Sequence, residues 1–542
     1  IPDFENTSLF LDIGSNPRVS HMSFVHMTDP MQALRDIVKR GGRVVHVNPR
    51  RTESVSPATG DLVQIKPDTD VYLLAAMIDA IRSLGLIDWD IIDQYGDRTD
   101  ELWAFASRYP ASRVAPITGL SEETIIDLAK AFATADGASI HASTGINMGR
   151  QGTLAYWLVQ MLSFVTGNLG RKGGNVYSPG YFPAATVGLR RNVDPYFETD
   201  FGALRTMNGS LPGNLLADYI ESGKVKALIC MSGNPALSIG GSDRLQKALA
   251  SLDLLIVIDI YPNATAELAD FALPATDWLE RADINSVSLG FQPIPYVQHV
   301  EAVVEPRAMR KPEWWIFARL EQALGLPSVL DDAQREPFAR AERQLHAVNI
   351  TLEQISKAPS RTIVLPPVKP DLLYELGMQN PNGRVDCCPS GFDDALLRCE
   401  EIFNDLASEP ADTFKLITLR TNYMMNSWLH TIPALKRDHA LDNPLYINPL
   451  DAKDSGWSEN SEVCVENSSG KLIATLKLDD RLKRGVVAMT HGWGQGKNPA
   501  MTRASNHPGV NVNNLLPSGP GSFEPLSNQS FMTGIRVNIS SA

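Results

Sequence analysis

Two short turns carry the residues best suited to grip an anion: Gly14-Ser15-Asn16-Pro17, and Gly233-Asn234-Pro235 preceded by Ser232. Each closes an apolar, strand-like run, residues 9–13 in the first case and 225–231 in the second. A glycine at a strand's carboxyl end lets backbone N–H groups approach a ligand closely, and the helix that follows directs its positive end there. Downstream of the first turn comes Asn48-Pro49-Arg50-Arg51-Thr52-Glu53-Ser54, at the end of the run 43–47. Thr52 offers a hydroxyl to a ribose and Arg50 a guanidinium to a phosphate, although a solvated turn would read the same way. The stretch Lys66-Pro67-Asp68-Thr69-Asp70 either starts a helix, with Asp68 or Thr69 as cap, or presents a carboxylate to the N1–H and N2–H₂ edge of a guanine. In the second copy the matching positions are Asp259, ending the run 254–258, and Pro274-Ala275-Thr276. The spacing from turn to strand end to Pro-Xaa-Thr is similar in both halves. It predicts two nucleotide-like ligands held as a pseudo-symmetric pair.

Positioning such turns requires alternating strands and helices. Strands are expected at 9–13, 43–47, 138–142 and 254–258, and helices near 29–40, 70–84, 122–134, 153–165 and 242–250. Ser121 should cap the 122–134 helix, with Thr124 at its third position. This is doubly wound α/β architecture. Residues 330–410 are rich in Pro and charge and read as a helix plus a connecting segment. From about 412 the texture becomes short strands, at 414–419, 462–466, 471–476, 486–489 and 535–538, with Asn467-Ser468-Ser469-Gly470 as a hairpin turn.

Composition bounds the function. A chain of 542 residues builds several domains, and 43% hydrophobic with 20% charged content is ordinary for a globular protein. The net charge of −13 argues against general nucleic-acid binding, so an anionic ligand must meet local cations. No run reaches the about 18 apolar residues of a membrane span. The five cysteines, Cys230, Cys387, Cys388, Cys399 and Cys464, form no Cys-x-x-Cys pair, which disfavours a disulfide framework, a four-cysteine cluster or a structural zinc.

Four stretches, the first of them holding the first turn, resemble the large subunit of the molybdopterin oxidoreductases of the DMSO reductase superfamily. The stretches are Gly14–Pro17 with Ser20-His21, Asn48–Glu53, Thr166-Gly167-Asn168-Leu169-Gly170-Arg171-Lys172-Gly173-Gly174-Asn175, and Asp270-Phe271-Ala272-Leu273-Pro274-Ala275-Thr276-Asp277-Trp278-Leu279-Glu280. Thr418-Leu419-Arg420, Asn426-Ser427, Thr431, His491-Gly492-Trp493-Gly494 and Asn513-Asn514-Leu515 continue the resemblance to the C-terminal end. It implies an α/β fold: two doubly wound dinucleotide-binding domains related by pseudo-symmetry (residues 1–165 and 166–330), a connecting segment (331–410) and a C-terminal six-stranded β-barrel (411–542). It also implies two molybdopterin guanine dinucleotides around one molybdenum or tungsten. Asn16, Ser20, His21, Pro49, Arg50, Thr52 and Asp70, with Gly14, would serve one of them. Gly233, Asn234, Pro235, Asp259 and Thr276 would serve the other, and Thr418, Arg420, Asn426, Ser427, His491, Trp493 and Asn514 would reach in from the barrel. Gly145-Ile146-Asn147-Met148-Gly149-Arg150 resembles the family loop near the pterin, with Gly145 and Asn147 on the cofactor. Arg150 is there a candidate for a phosphate or an anionic substrate, or else a helix cap.

The family's [4Fe-4S] cysteines and its metal ligand (Cys, Sec, Ser or Asp) precede the first Gly-x-Asn-Pro. The cluster is therefore expected on an N-terminal segment or partner chain, and no residue here is assigned as metal ligand. Formate dehydrogenases carry an arginine soon after Gly-Asn-Leu-Gly, where this chain has Ser178-Pro179-Gly180, a departure that disfavours formate. Tyr177, Tyr181 and Phe182 suit a bulkier substrate or, preferably, packing. His141 ends an apolar strand and reads as a satisfied core histidine. The expected partners are a small-molecule substrate and an electron-transfer protein, with no nucleic acid and no membrane span, and the compartment leans cytoplasmic over periplasmic. Three functions follow: a catalytic oxidoreductase passing electrons to an iron–sulfur relay, a complex I-like scaffold that has lost the metal, and a non-redox hydratase or transhydroxylase. The two Asn-Pro turns with Arg420, Asn426 and Ser427 favour the first, since a scaffold needs no guanine or phosphate contacts.

Overall fold

The computed structural model describes every residue except 24, 179–195, 208, 286–290, 334–335, 347, 379, 437–440 and 497. Strand β1 (Leu9–Ile13) is buried along its whole length. It lies between β2 (Arg43–Val47) and β4 (Ala138–Ala142), with β3 (Asp61–Val63) outside β2, all four parallel. Parallel strands have both faces covered, so they read as near-continuous apolar runs. One face, with Leu9, Leu11, Ile13 and Val45, packs into the largest core together with helices α2 (Asp70–Ser83), α3 (Glu122–Thr134) and α4 (Gly152–Val165). The other face sends Phe10 and Val44 against Leu34 and Ile37 of α1 (Pro30–Lys39). Ser121 caps α3 as expected, accepting from the Thr124 backbone N–H at 3.1 Å.

The second α/β unit repeats this plan in three parallel strands, β5 (Ala227–Met231), β6 (Leu254–Asp259) and β7 (Phe271–Pro274), in the order β7-β6-β5, with helix α5 (Ser242–Leu249) between β5 and β6 in the chain. In both sheets the strand bearing the glycine turn pairs with the next strand, which pairs with the third. The single helical turns Pro17–Ser20 and Pro235–Ser238 follow the two glycine turns.

The C-terminal strands close into a barrel: β8 (Phe414–Leu419), β9 (Leu445–Ile447), β10 (Glu462–Glu466), β11 (Lys471–Leu478), β12 (Val486–Thr490) and β13 (Ile535–Ser541), in the order β8-β12-β9-β11-β10-β13. Closure removes the edges that an open sheet would expose. The Asn467–Gly470 turn joins β10 to antiparallel β11, its ends linked at 3.0 Å. Strand β9 was not foreseen, because three residues are too few to show alternation.

Part of the connecting segment is not merely a link. Helix α6 (Asp393–Ala407) places Cys399, Phe403 and Leu406 in the core of the first α/β unit, and the Tyr72 hydroxyl donates to the Cys399 carbonyl at 2.7 Å. No helix among the described residues is long and apolar enough to cross a membrane.

Candidate functional site

The first turn is built on two glycines in backbone contact. Gly14 sits at φ +65°, and the Gly145 N–H donates to its carbonyl at 3.0 Å. A Cβ on Gly14 would lie 2.8 Å from the Ile146 nitrogen, and one on Gly145 would lie 2.6 Å from the Gly14 oxygen. Only glycine allows these two loops to meet. Together they form one wall of a cleft of about 490 Å³ at the carboxyl ends of β1, β2 and β4, closed from the opposite side by the barrel. Gly14, Asn16, Ser20, Pro49, Arg50, Thr52, Asp70 and Gly145 all line it, with Thr418 and Arg420 from the end of β8.

The cations of this cleft are unequally free. Arg50 is buried, donating to Asp479 of the barrel at 3.1 Å and to Glu53 at 2.9 Å. Arg481 binds the same two carboxylates. Arg420 is exposed and has no hydrogen-bond or ion-pair partner among the described residues, leaving its guanidinium available for a phosphate. The Asn16 amide donates to Glu53 at 2.7 Å while its oxygen accepts from Ser54 at 2.8 Å, so the turn and the Thr52–Ser54 stretch are tied together. Burial opposes ionisation of Glu53, but its bonds to Arg50 outweigh it and hold the carboxyl down at about 2. Asp70 behaves oppositely: burial, then the nearby Asp68 charge, push it up to about 7.

Arg150 lies elsewhere. It donates to Asp68 and to Asp405 of α6, each at 2.6 Å, and does not line the cleft. Asp405 also pairs with Arg536 of β13, so this guanidinium belongs to a charge chain joining loop, helix and barrel. Asn147 shapes the same loop, its carbonyl standing where a Cβ on Gly152 would fall. His21 ends its helical turn in the left-handed region at φ 55° and faces a separate wide cavity, of about 1420 Å³, rather than the cleft.

The second turn meets the barrel loops. The Asn234 amide donates to the Ser427 hydroxyl at 3.4 Å, and its oxygen accepts from Thr265 Oγ1 at 3.0 Å. Asn263 bridges the Gly233 carbonyl (3.2 Å) and Asp259 (3.0 Å) beside Pro235. Burial raises the Asp259 carboxyl above its ordinary value. Asn426 Oδ1 and His491 Nε2 are 3.3 Å apart. Burial, then Arg420, bring His491 down to about 4, so its imidazole is neutral near pH 7. The two halves of the expected site thus come together through the barrel.

The residues suit a polar, many-donor ligand. Thr490 Oγ1, which lines the cleft, is buried without a hydrogen-bond partner, a costly state that a bound polar group would relieve, and Thr276 Oγ1, Trp493 Nε1 and Asn514 Oδ1 are likewise unpartnered but do not line it. The cleft volume also lies within the range of about 300–1,000 Å³ usual for ligand pockets. Among the described residues, no group of three or more His, Cys, Asp or Glu side chains is arranged to hold a metal. Sequence reasoning passed over Arg481, Thr265 and Asn263 as site residues. Arg481 enters from a distant barrel loop with no local signal, whereas Asn263-Ala264-Thr265 lies just past β6 and its amide and hydroxyl types were a usable sign. Pro179, Gly180, Tyr181 and Phe182 lie outside the described residues.

Comparison with known proteins agrees with this geometry. A family model described as Molybdopterin oxidoreductase matches residues 1–323, and one described as Molydopterin dinucleotide binding domain matches residues 414–529. The F420-dependent formate dehydrogenase subunit alpha of Methanocaldococcus jannaschii is 30% identical over 90% of this chain and 72% of its own. Formate dehydrogenase H of Escherichia coli is 24% identical over 91% of this chain and 69% of its own. Among solved structures, acetylene hydratase from Pelobacter acetylenicus superposes with a TM-score of 0.79 at 21% identity, covering 100% of this chain and 79% of that one.

Proposed function

The chain belongs to the molybdopterin oxidoreductases of the DMSO reductase superfamily, and from that premise we propose that it catalyses a two-electron redox or oxygen-atom transfer on a small substrate. The carrying observation is the cleft in which Gly14, Asn16, Arg50 and Asp70 face Thr418 and Arg420 of the barrel, with a matching turn at Asn234 held by Ser427.

The molybdenum or tungsten of the cofactor, chelated by its two pterin dithiolenes, supplies the two-electron change when bound. Everything else falls to the chain's own residues. The backbone N–H groups after Gly14 and the unpaired Arg420 bind phosphate. Asp70, once ionised, accepts from the two N–H groups of a guanine edge. Neutral His491, near Asn426, offers a ring nitrogen to a pterin without adding charge. Trp493 Nε1 and Thr276 Oγ1 supply hydrogen bonds that the protein itself leaves unmade. The barrel walls the cleft on the side opposite Gly14 and Gly145 and brings Thr418 and Arg420 to it.

Single electrons would leave through an iron–sulfur cluster on an N-terminal segment or partner subunit, toward an electron-transfer protein. The relatives named as formate dehydrogenase alpha subunits support a multi-subunit setting. The test is elemental analysis of the natively purified assembly for molybdenum, tungsten and iron, together with guanine nucleotide released by acid. Stoichiometric molybdenum or tungsten with two guanine nucleotides per chain supports the reading. Neither metal in a fresh, complete assembly overturns it in favour of a scaffold.

A further inference from the structure

Beneath the first turn lies a buried polar cluster in an otherwise apolar sheet. Asp12, His46 and His141 sit side by side in register on β1, β2 and β4 and share one face. Their exposures are 1%, 1% and 6%. The Asp12 carboxylate accepts from His46 Nδ1 at 2.9 Å and from His141 Nδ1 at 3.0 Å. The Ser15 hydroxyl sits between its two oxygens, at 2.5 and 2.6 Å. The other nitrogen of His46, Nε2, is 3.0 Å from the Thr59 carbonyl.

This geometry settles the protonation of His46. A carboxylate and a carbonyl oxygen only accept, so both ring nitrogens must carry hydrogen, and the ring is an imidazolium. The charges acting on it are Asp12 from β1 and Asp61 from β3, with His141 on the far side of Asp12. Burial opposes the cation, but Asp12 outweighs burial and raises the histidine above its ordinary value.

From this cluster two chains of hydrogen bonds run to the turn. One is direct, Asp12 to Ser15. The other passes from His46 to the Thr59 carbonyl, from Thr59 Oγ1 to the Ser54 carbonyl (2.6 Å), and from Ser54 Oγ to Asn16 Oδ1 (2.8 Å). Ser54 Oγ also accepts from the Arg18 N–H at 2.9 Å. Both arms end on residues that line the cleft.

We propose that Asp12, His46 and His141 are positioning residues for the first nucleotide, setting the Ser15-Asn16 turn from beneath, and that they do so only while His46 is doubly protonated. The inference rests on the reading of the cleft as a dinucleotide site. The fold itself has no need of the cluster. The same sheet face also carries the apolar Phe10, Val44 and Leu62 beside the buried Ser139, and a buried ionic group replaced by well-packed apolar residues is often neutral or stabilising. What apolar residues cannot supply is the pair of arms. Loss of the second His46 proton leaves the Thr59 carbonyl without its donor and Asp12 without its cation, so the Thr59–Ser54–Asn16 arm loosens while Ser15 still donates to the carboxylate.

The sign follows from the raised value: the contribution of His46 is complete below the ordinary histidine value of 6.5 and is lost as pH rises through the higher folded value. The test measures guanine nucleotide released by acid per chain, and the half-time of cofactor loss between about pH 6 and pH 9, a window chosen to span histidine titration. Asp70 ionises in the same window and tightens its hold on guanine as pH rises, so all proteins are compared in an Asp70→Asn background, where that titration is removed. There the protein with the cluster intact should lose cofactor faster as pH rises. The added triple substitution Asp12→Val, His46→Val, His141→Phe should melt no lower, yet lose cofactor about tenfold faster at pH 6, the size of one charge-assisted hydrogen bond, and abolish that rise with pH. Should the triple variant fail to fold, Thr59→Val cuts one arm alone and should shorten the half-time severalfold. Retention and pH profile equal to the Asp70→Asn parent in either variant would overturn the proposal. Wild-type protein that releases no guanine nucleotide would overturn the reading of the cleft, and the proposal with it.

Discussion

Arg420 and Asp70 face the same cleft with opposite consequences for the empty protein. Arg420 is exposed and unpaired among the described residues, so its removal disturbs little of the fold. Arg420→Ala should weaken cofactor binding about thirtyfold, from loss of a charge-assisted contact on the order of 2 kcal/mol, read as less bound metal and guanine nucleotide with an unchanged melting temperature. Asp70 is held up at about 7 by burial and by Asp68, so the folded chain keeps a proton that the unfolded chain has lost between 3.8 and 7. Stability of the unloaded protein therefore falls as pH rises across that window. Asp70→Asn should raise it by about 2 kcal/mol at pH 8, after discounting for partial exposure, and leave it unchanged at low pH, as read by urea denaturation. The same variant should retain less cofactor, since an amide cannot accept twice from guanine with full charge. A stabilised variant with undiminished nucleotide would show that Asp70 does not read the base.

At the scale of elements, the contact between Gly14 and Gly145 is a geometric necessity, whereas a Cβ on Gly233 of the second turn would meet nothing nearer than 3.6 Å. Gly145→Ala brings a Cβ within 2.6 Å of the Gly14 carbonyl, with backbone on both sides and nothing flexible to yield. The two loops must separate, costing about 1–3 kcal/mol and most of the bound cofactor, which calorimetry and metal analysis would register together. Much at this scale was legible beforehand. Strands β1, β2 and β4 and the Ser121 cap stand where periodicity and capping residues put them, because local signals suffice for local structure. Strand β9 escaped notice because it is three residues long, and the stretch 330–410, read only as a helix plus a connecting segment, showed neither where α6 lies nor which core it joins.

For the whole molecule, the decisive joint is between barrel and first α/β unit. Arg50 and Asp479 are separated by 429 residues yet form a buried pair at 3.1 Å, extended by Glu53 and Arg481. Arg50→Met leaves Asp479 with Arg481 alone, and should cost about 3 kcal/mol and expose the barrel junction to limited proteolysis. Glu53 is held down at about 2 and Asp479 is likewise lowered, so this joint contributes stability that is complete above the ordinary carboxylate value of 4.5 and is lost as pH falls from there through about 2. Acid should therefore release cofactor before the remainder of the chain unfolds, a sequence that chromatography of released guanine nucleotide and far-ultraviolet circular dichroism would separate.

The sequence by itself determined the duplicated turns, the strands that carry them, the family and the chemical types at the cleft, because glycine conformation, apolar periodicity and short motifs act within a few residues. Only the tertiary structure decided which groups are free. It gave Arg50 and Arg150 to carboxylates hundreds of residues away and left Arg420 unpaired among the described residues. It also turned His141 from an isolated core histidine into one side of a buried carboxylate, since three adjacent strands bring together side chains that lie 34 and 129 residues apart in the chain.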